Sequence, residues 1–322
     1  MKKIVSLSLL LALLLCVFSI SASANATVLS DGSTYEINAE DKTATLVTWA
    51  GDPAAIQVPE TITADGVTYT VTAVGSQAVT KKAELTSLTL PASVTLINGA
   101  AFRGCTALAS ITAPGVRELQ QNAFGGCNKL TAADLPALEK LGDYVFQDCT
   151  NLATVNLPAV TEVGGYVFKN CAALTTVELP AVTFLTDTAF SSATGLQTVV
   201  FGENLASAGG STLFAGCEKL STIQFKCTAV PAKVSKSTFS SLPALTKILV
   251  PSGCAQAYKN AVSRDSTIIK KIVEQATDTA ALSGTTLSQG NLVIILVILA
   301  AAVVAVVVAV IVVKKKKPAG NN

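Results

Sequence analysis

A short alternation of apolar and polar residues returns many times along the chain. Its clearest copies run from Leu152 to Pro158 and from Leu174 to Pro180, both with the pattern L-x-x-V-x-L-P. Alternation with a period of two predicts a short β-strand whose Val and Leu side chains point into a core. The proline that follows cannot donate a backbone hydrogen bond, so it ends the strand and turns the chain.

An aromatic residue marks the other half of each unit. Five phenylalanines are each 22 residues apart, and looser copies follow after steps of 24 and 25. Repeats of this length predict a stacked solenoid, in which each coil buries its apolar face only against its neighbours. The predicted fold class is a leucine-rich repeat solenoid with one short parallel strand in each coil of about 22 residues. The marks are Val79, Phe102, Phe124, Phe146, Phe168, Phe190, Phe214 and Phe239.

The outward positions of the predicted strands form a candidate binding surface. In the phrase L-x-x-L-x-L they are the third and fifth positions, because alternate residues of a strand point to opposite faces. Small hydroxyl residues dominate, with two acids at mid-length. A partner-binding role and the ordinary suitability of Ser and Thr for exposed strands fit this composition equally well. The candidate partner-binding residues, here called the strand face, are Ser110, Thr112, Asp134, Thr154, Asn156, Thr176, Glu178, Thr198, Val200, Thr222 and Gln224.

The full repeat reads L-x-x-[IV]-x-L-P-x-x-[VL]-x-x-[LV]-G-x-x-[AV]-F-x-x-C over about residues 79–261. It resembles the repeat of BspA-like leucine-rich repeat proteins, which are surface antigens of bacteria and some parasitic protists. The phrase from Val250 to Tyr258 is similar to that family's C-terminal cap. The resemblance implies surface adhesion or recognition, in some members of host matrix proteins or cells, and no catalytic residues. The pattern is interrupted at Ala193, where cysteine is expected, and by an insertion at 206–212.

The two ends of the chain carry targeting signals. Residues 1–24 combine two lysines, an apolar run and the ending Ser-Ala-Ser-Ala, which predicts a secretory signal peptide. Residues 292–313 are uncharged and mostly apolar, and at about 1.5 Å per residue they can span a hydrocarbon core of ~30 Å. The lysines of the tail 314–322 should remain cytoplasmic. These signals predict a single-pass type I membrane protein at the plasma membrane or cell surface, with its N-terminal region extracellular.

Four regions lie between these ends. Residues 25–78 carry strand-like alternation with turn signals and are predicted to form a β-rich N-terminal cap that merges into the first coil, since an open solenoid end exposes its core. Residues 79–250 are the repeats, and residues 251–274 are the predicted C-terminal cap. Residues 275–291 are rich in Thr, Ser, Ala and Gly and are predicted to be a stalk.

Composition and charge argue against several classes of function. Without the lysines at the two ends, residues 25–291 hold 17 basic and 21 acidic residues, which is a net charge of −4. No basic patch with interleaved aromatic residues occurs in the sequence, so nucleic-acid binding is not predicted. The chain has no histidine, which excludes Ser-His-Asp triads and histidine acid–base pairs. Asp134 and Glu178 fall on strands two coils apart, and the sequence predicts a non-enzyme without cofactor or small-molecule substrate.

Cysteines recur one coil apart, at Cys105, Cys127, Cys149 and Cys171. Equivalent positions in stacked coils lie roughly 4.8 Å apart with parallel side chains, whereas a disulfide needs convergent Cβ atoms ~3.5–4.5 Å apart. This column is therefore predicted to hold buried thiols acting as small apolar fillers, with a disulfide or a metal site as weaker alternatives. Cys227 and Cys254 lie off the column, about one coil apart, and are a candidate disulfide.

Two functions of different kinds fit these patterns. An adhesion or recognition protein would bind an extracellular or host-surface protein through the strand face, and its C-terminal helix would anchor it in the membrane. A structural surface coat would instead self-associate without a specific ligand. A signalling receptor is disfavoured, because nine residues follow Val313. Adhesion or recognition is the leading interpretation.

Overall fold

Two kinds of short strand alternate along the chain, and each kind pairs in its own sheets. We describe residues 26–30, 32–262 and 265–275 of a computed structural model, all within the unit Met1–Gln275. Three short helices are present in these ranges: α1 (Lys236–Phe239), α2 (Ala255–Ala261) and α3 (Ser266–Ile269). The strands are β1 (Ala26–Ser30), β2 (Ser33–Asn38), β3 (Thr43–Thr48), β4 (Ala55–Gln57), β5 (Thr61–Ala64), β6 (Val67–Val74), β7 (Ser87–Thr89), β8 (Leu96–Ile97), β9 (Ser110–Thr112), β10 (Glu118–Leu119), β11 (Ala132–Asp134), β12 (Lys140–Leu141), β13 (Thr154–Asn156), β14 (Glu162–Val163), β15 (Thr176–Leu179), β16 (Phe184–Leu185), β17 (Thr198–Phe201), β18 (Ser207–Ala208), β19 (Thr222–Phe225), β20 (Lys247–Val250) and β21 (Ile272–Glu274).

The strands of the L-x-x-V-x-L phrase pair in parallel from one coil to the next. They form sheets of three, two and five strands, in the orders β4-β7-β9, β11-β13 and β15-β17-β19-β20-β21. The register advances by one coil at each step, so Thr176 pairs with Thr198. Val177 and Leu179 are fully buried, whereas the polar residues beside them on β15 are exposed. The predicted repeat solenoid of parallel strands is confirmed.

A second strand of two residues lies in most coils, and the sequence pattern did not predict it. These strands pair in parallel with a register of one coil, as Glu118 does with Lys140 and Glu162 with Phe184. They continue a sheet that begins at the N-terminal strands, in the order β1-β2-β3-β6-β8-β10-β12-β14-β16-β18, with β5 paired to β6. The antiparallel β2–β3 hairpin buries Leu46 against the core that the coils share.

The phenylalanines at the 22-residue spacing form one ring stack inside the core. Consecutive ring centroids from Phe102 to Phe190 lie 5.3, 6.0, 6.1 and 5.5 Å apart, with interplanar angles between 8° and 13°. Phe214 extends the stack at 5.5 Å. The backbone follows the same step, since the Phe124 N–H donates to the Val145 carbonyl at 3.0 Å. Aromatic packing and hydrogen bonding therefore repeat together from coil to coil.

Two columns of residues with left-handed backbone turn each coil at one corner. In the first column, the φ angles are 56° at Ala100, 61° at Asn122, 60° at Tyr144 and 56° at Tyr166. In the second, they are 74° at Gly104, 75° at Gly126, 60° at Asp148 and 61° at Asn170. Glycine adopts this conformation freely and Asn and Asp tolerate it, whereas other residues lose roughly 1–2 kcal/mol there. The corner thus requires a left-handed backbone in each coil, and the residue type that adopts it varies along both columns.

The coils after Phe190 depart from the regular spacing. Phe239, predicted as a repeat mark, ends α1 and is 3% exposed. A second aromatic series forms in this part of the core, with Phe201 to Phe225 and Phe225 to Tyr258 each 5.4 Å between ring centroids and tilted by 33° and 39°. The sequence pattern did not predict this series.

Several predicted segments lie outside the described residues. They are the signal peptide 1–24, residues 276–291 of the stalk, the span 292–313 and the tail 314–322. None of the helices in the part of the chain that the structure describes has the length and apolar character needed to cross a membrane. The domain bounds, including the caps at 25–78 and 251–274, stay predictions.

Candidate functional site

The strand face is an open polar surface. Core packing determines that these side chains point outward. The apolar residues between them are buried in the core, and alternate residues of a strand point to opposite faces. The structure places every residue of the strand face on the outward side of its strand. The exposed residues are Ser110, Thr112, Asp134, Thr154, Asn156, Thr176 and Glu178, and the half-buried ones are Thr198, Val200, Thr222 and Gln224.

Parallel pairing arranges these residues in two columns. Thr198 pairs with Thr222 in one column, and Val200 pairs with Gln224 in the other. Paired strands lie roughly 4.8 Å apart, so side chains of one column neighbour each other from coil to coil. Columns of short side chains leave few projections, and a partner surface can approach many strands at once.

Acidic groups lie at the middle of the strand face. The Asn156 amide donates to the Asp134 carboxylate at 2.7 Å across paired strands. Glu178, in the next coil, has no ion-pair partner among the described residues. Asp134 is therefore held in place by a neighbour, whereas Glu178 is available to a cation on a partner. Both carboxylates are solvent-exposed.

An apolar strip follows toward the C-terminal side. Leu249 is half-buried beside Gln224, and Val273 is 46% exposed beside Leu249. Val273 extends the column by one strand beyond that of Leu249, which is the last strand of the predicted repeats. Its signal in the sequence is the pair Ile272-Val273, which repeats Ile248-Leu249 at a step of 24. The predicted repeats ended at residue 250, so this strand was missed.

The repeated cysteines are buried thiols, as the spacing predicted. Cys105, Cys127, Cys149, Cys171 and Cys217 are unbonded to one another and fully buried. Each thiol donates to a carbonyl of the preceding coil, for example Cys149 Sγ to the Phe124 oxygen at 3.2 Å. Burial raises the pKa of Cys105 to about 11 and those of Cys149 and Cys217 to about 12. The column therefore combines packing with one weak hydrogen bond from each cysteine.

Cys227 and Cys254 are free thiols, so the structure does not contain the bridge that the sequence allowed. The Cys227 sulfur instead lies 3.2 Å from the hydroxyl oxygen of Tyr258. That hydroxyl donates to the Cys227 carbonyl at 3.0 Å. Burial, followed by the contact with Cys227, raises the pKa of Tyr258. Cys227 is therefore held by Tyr258 through its sulfur and its carbonyl.

A second candidate site lies at the corner of the early coils and was missed by the sequence analysis. Side chains and backbone enclose an open groove of about 860 Å³, lined by Lys81, Arg103, Gln121, Asn122, Tyr144 and Gln147 among others. None of its residues belongs to the strand face. Its signal in the sequence is a change of side-chain size between coils, because the groove forms where side chains at equivalent positions of successive coils become small.

Neither surface gathers the groups that metal chemistry requires. Within the described residues, no cluster of three or more His, Cys, Asp or Glu is placed to hold a metal ion. Asp134 and Glu178 are separated by the strand that carries Asn156, in agreement with their placement two coils apart. The arrangement suits non-covalent recognition through hydrogen bonds and charge.

Three solved structures that match the chain are of bacterial leucine-rich repeat proteins. A leucine-rich repeat protein from T. pallidum (TpLRR) is 30% identical, with 61% of this chain and 91% of that chain covered and a TM-score of 0.50. A leucine-rich repeat protein from Bacteroides capillosus is 27% identical, with 40% and 96% covered and a TM-score of 0.37. A leucine-rich cell surface protein from Faecalibacterium prausnitzii is 19% identical, with 82% and 98% covered and a TM-score of 0.36. No curated protein matches the chain.

The repeat region also matches a family model. The match is to the BspA type Leucine rich repeat region, in six copies, over residues 72–197 and 161–280. These ranges include the coils that carry the strand face, the cysteine column and the phenylalanine stack. The chain therefore belongs to the BspA-type leucine-rich repeat family.

Proposed function

We propose that this chain is a cell-surface protein that adheres to, or recognises, an extracellular or host-surface protein through its strand face. The observation that carries the proposal is the pair of parallel columns of short polar side chains, with the unpaired Glu178 near their middle. The core does not need these side chains for its packing, so their chemistry is free to suit a partner. No catalytic step, cofactor, nucleic acid or small-molecule substrate is part of the proposal.

Charge favours a particular kind of partner. An acidic centre attracts a partner surface that presents lysine or arginine opposite Asp134 and Glu178, and such complementarity sets orientation and association rate more than affinity. The apolar strip at Leu249 and Val273 would add burial at one end of the interface. A partner with a basic patch beside an apolar one fits both parts of the surface.

The proposed topology follows from the two ends of the sequence. Residues 1–24 would direct secretion, residues 292–313 would cross the membrane once and residues 314–322 would remain inside. Residues 275–291 would act as a stalk, and residues 25–78 would cap the first coil. This arrangement would present the strand face outside the plasma membrane.

Beads coated with the purified full chain provide the test, because clustering increases the strength of weak contacts. They would be incubated with whole cells and with immobilised matrix proteins. A strand-face variant would carry Thr154→Lys, Asn156→Lys, Thr176→Lys and Glu178→Lys. We expect it to bind at least about tenfold less than the wild type, since like charges would then face a basic partner.

A matched control places the same added charge elsewhere. Glu118→Lys and Glu162→Lys lie on the second strands β10 and β14, Thr183→Lys lies directly before β16, and together they also add five charges. This control should bind as the wild type does. The alternative function is a structural coat without a specific ligand. Concentration-dependent self-association in sedimentation experiments, together with no binding to cells or matrix, would replace adhesion with that alternative.

A further inference from the structure

The corner groove exists because side chains shorten toward the early coils. Along the first left-handed column, Tyr166 and Tyr144 give way to Asn122 and then to Ala100. In the neighbouring column, Asp148 gives way to Gly126 and Gly104, which have no side chain to fill the space. The glycine backbone consequently forms the floor of the groove, and Tyr144 forms a wall.

Tyr144 is a rigid aromatic wall. Its ring stacks on Tyr166 with the centroids 5.0 Å apart and the planes 12° from parallel. The Lys169 ammonium lies over the Tyr166 ring, 5.2 Å from its centroid. One face of Tyr144 is thereby occupied, and the other turns toward the coil of Asn122, where the groove lies. The negative face of an aromatic ring attracts the positively polarised C–H groups of a flat, partly apolar ligand.

Amide groups surround this wall. Gln121, Asn122 and Gln147 line the groove, and each amide side chain offers both donors and an acceptor. The Gln147 amide nitrogen is engaged by the Asp148 carboxylate at 3.0 Å, which leaves its carbonyl oxygen to accept from a ligand. A ligand with many hydroxyl groups, each both donor and acceptor, matches such a lining.

Unpaired cations give the groove its charge. Lys81 and Arg103 line it, and neither has an ion-pair partner among the residues that the structure describes. The acid of the groove, Asp148, is already held by the Asn170 amide at 2.7 Å and by Gln147. An anionic group on a ligand would therefore meet free arginine and lysine, and arginine pairs with a carboxylate through two parallel hydrogen bonds.

The groove continues into a second hollow of about 610 Å³. The two share Thr106 and Asn128, and the second adds Lys129. An extended ligand of several linked units can lie along both, with a further cation beyond the first site.

We propose that this corner groove binds an acidic oligosaccharide. One sugar ring lies against Tyr144, its hydroxyls hydrogen-bond to Gln121, Asn122 and Gln147, and its carboxylate pairs with Arg103 and Lys81. A small inorganic anion would leave the tyrosine unused, and a neutral sugar would leave both cations unpaired. This site is independent of the proposed adhesion through the strand face.

Calorimetric titration of the full chain tests the proposal, in a detergent without a sugar headgroup. The probes are sialyllactose, a hyaluronan tetrasaccharide and lactose, so that the two acidic sugars separate a sialic acid from a uronic acid as the carboxylate source. At least one acidic probe should bind about tenfold or more tightly than lactose, and this preference should decrease with added salt.

Variants assign the binding to the groove. Arg103→Ala should remove most of the preference for the acidic probe, Tyr144→Ala should abolish binding and Tyr144→Phe should retain it. Arg117→Ala, an exposed arginine outside the groove, is the matched control and should bind as the wild type does. Because Arg103 is exposed, its replacement should leave the fold intact even where Tyr144→Ala does not.

Any of three results would overturn the proposal: no binding of any probe to the folded chain, an affinity for lactose equal to that for the acidic probes, or unchanged binding of the acidic probe by Arg103→Ala and by a folded Tyr144→Ala. The strand-face variant defined above should keep its sugar binding. Loss of protein binding in that variant, with sugar binding intact, would separate the two sites.

Discussion

The regular coils from Phe102 to Phe190 and the later coils from Phe201 onward form one core by different means. In the regular coils, neighbouring phenylalanine rings are close to parallel, at 8° to 13°. In the later coils, the aromatic series Phe201, Phe225 and Tyr258 is tilted by 33° and 39°. The first region repeats one contact many times, whereas the second uses contacts that occur once.

The difference follows from the length of the coil. An exact step of 22 residues places identical residues above one another, so each column can hold a single residue type. Steps of 24 and 25 introduce residues that have no counterpart in the next coil. Such residues need partners of their own, as Tyr258 finds in Cys227. Periodicity therefore stabilises the early coils, and specific pairs stabilise the later ones.

The largest expected difference between the regions concerns Phe146→Ala. Phe146 has a stacked ring on each side, at 6.0 and 6.1 Å, so its removal should lower the free energy of unfolding by ~3–5 kcal/mol. Phe239→Ala, at the end of α1, should cost less, because a short helix at the edge of the repeats can relax into the space. Urea unfolding of both variants measures this, and equal losses would show that the stack adds nothing special.

A smaller loss of stability is expected from Tyr258→Phe. This change leaves the Cys227 carbonyl without its buried donor and should lower the free energy of unfolding by about 1–2 kcal/mol. Tyr166→Phe is the matched control, because its ring is half-buried on a corner, and it should change stability little. The same urea unfolding would detect the difference, and a neutral Tyr258→Phe would argue that the specific pair is dispensable.

Ala193→Cys restores the regular column at its one interruption. The new thiol should be buried like Cys171 and change the free energy of unfolding by less than about 1 kcal/mol, because the neighbouring cysteines are already accommodated. Burial holds the pKa of such thiols high, as it does for Cys149 at about 12. In alkylation followed by mass spectrometry, the native column should therefore react far more slowly than the half-exposed Cys254. Fast labelling at residue 193 would mean that the coil opens there.

The smallest expected effect is a dependence of stability on pH that arises in the later coils. Hydrogen bonds from the Thr267 hydroxyl and backbone lower the pKa of Asp265 from 3.8 to about 2, with further help from Lys236. A folded-state pKa below the unfolded one stabilises the fold above the unfolded value, and this contribution is lost as the pH falls through the folded value. Stability should thus decrease between about pH 4 and pH 2.

Asp265→Asn should flatten this acid dependence without affecting the early coils. Amide chemical shifts at Thr267 and Ile268, followed against pH, report it directly. An unchanged titration of these amides in the variant would assign the acid sensitivity to another group.

The sequence predicted much of the structure of the early coils, because each apolar position there makes the same kind of contact in every coil. The spacing of Phe102 to Phe190 predicted the coils, and the alternation around Val177 predicted which strand residues point outward. The second strand of each coil was not predicted, since two residues such as Glu118-Leu119 are too short to show a period. The later aromatic series depends on how inserted residues pack in three dimensions.

The two candidate surfaces also differ in how far the sequence predicts them. The strand face follows from alternation along the chain, and Val273 was missed because it lies beyond the last recognised repeat. The corner groove depends on comparison across coils, where Tyr144, Asn122 and Ala100 occupy equivalent positions. The signal for the groove therefore lies in the alignment of one coil with the next and not in the linear order of the residues.

The uniform backbone step between coils also affects how such a protein can change over evolutionary time. Because the Phe124 amide bonds to Val145 just as the Phe146 amide bonds to Val167, one coil can replace its neighbour as a donor or acceptor. A duplication or deletion of one whole unit therefore preserves the hydrogen bonds at the junctions on either side of it. The protein can vary its length in discrete increments and thereby adjust the reach of its outer surface without redesigning its interior.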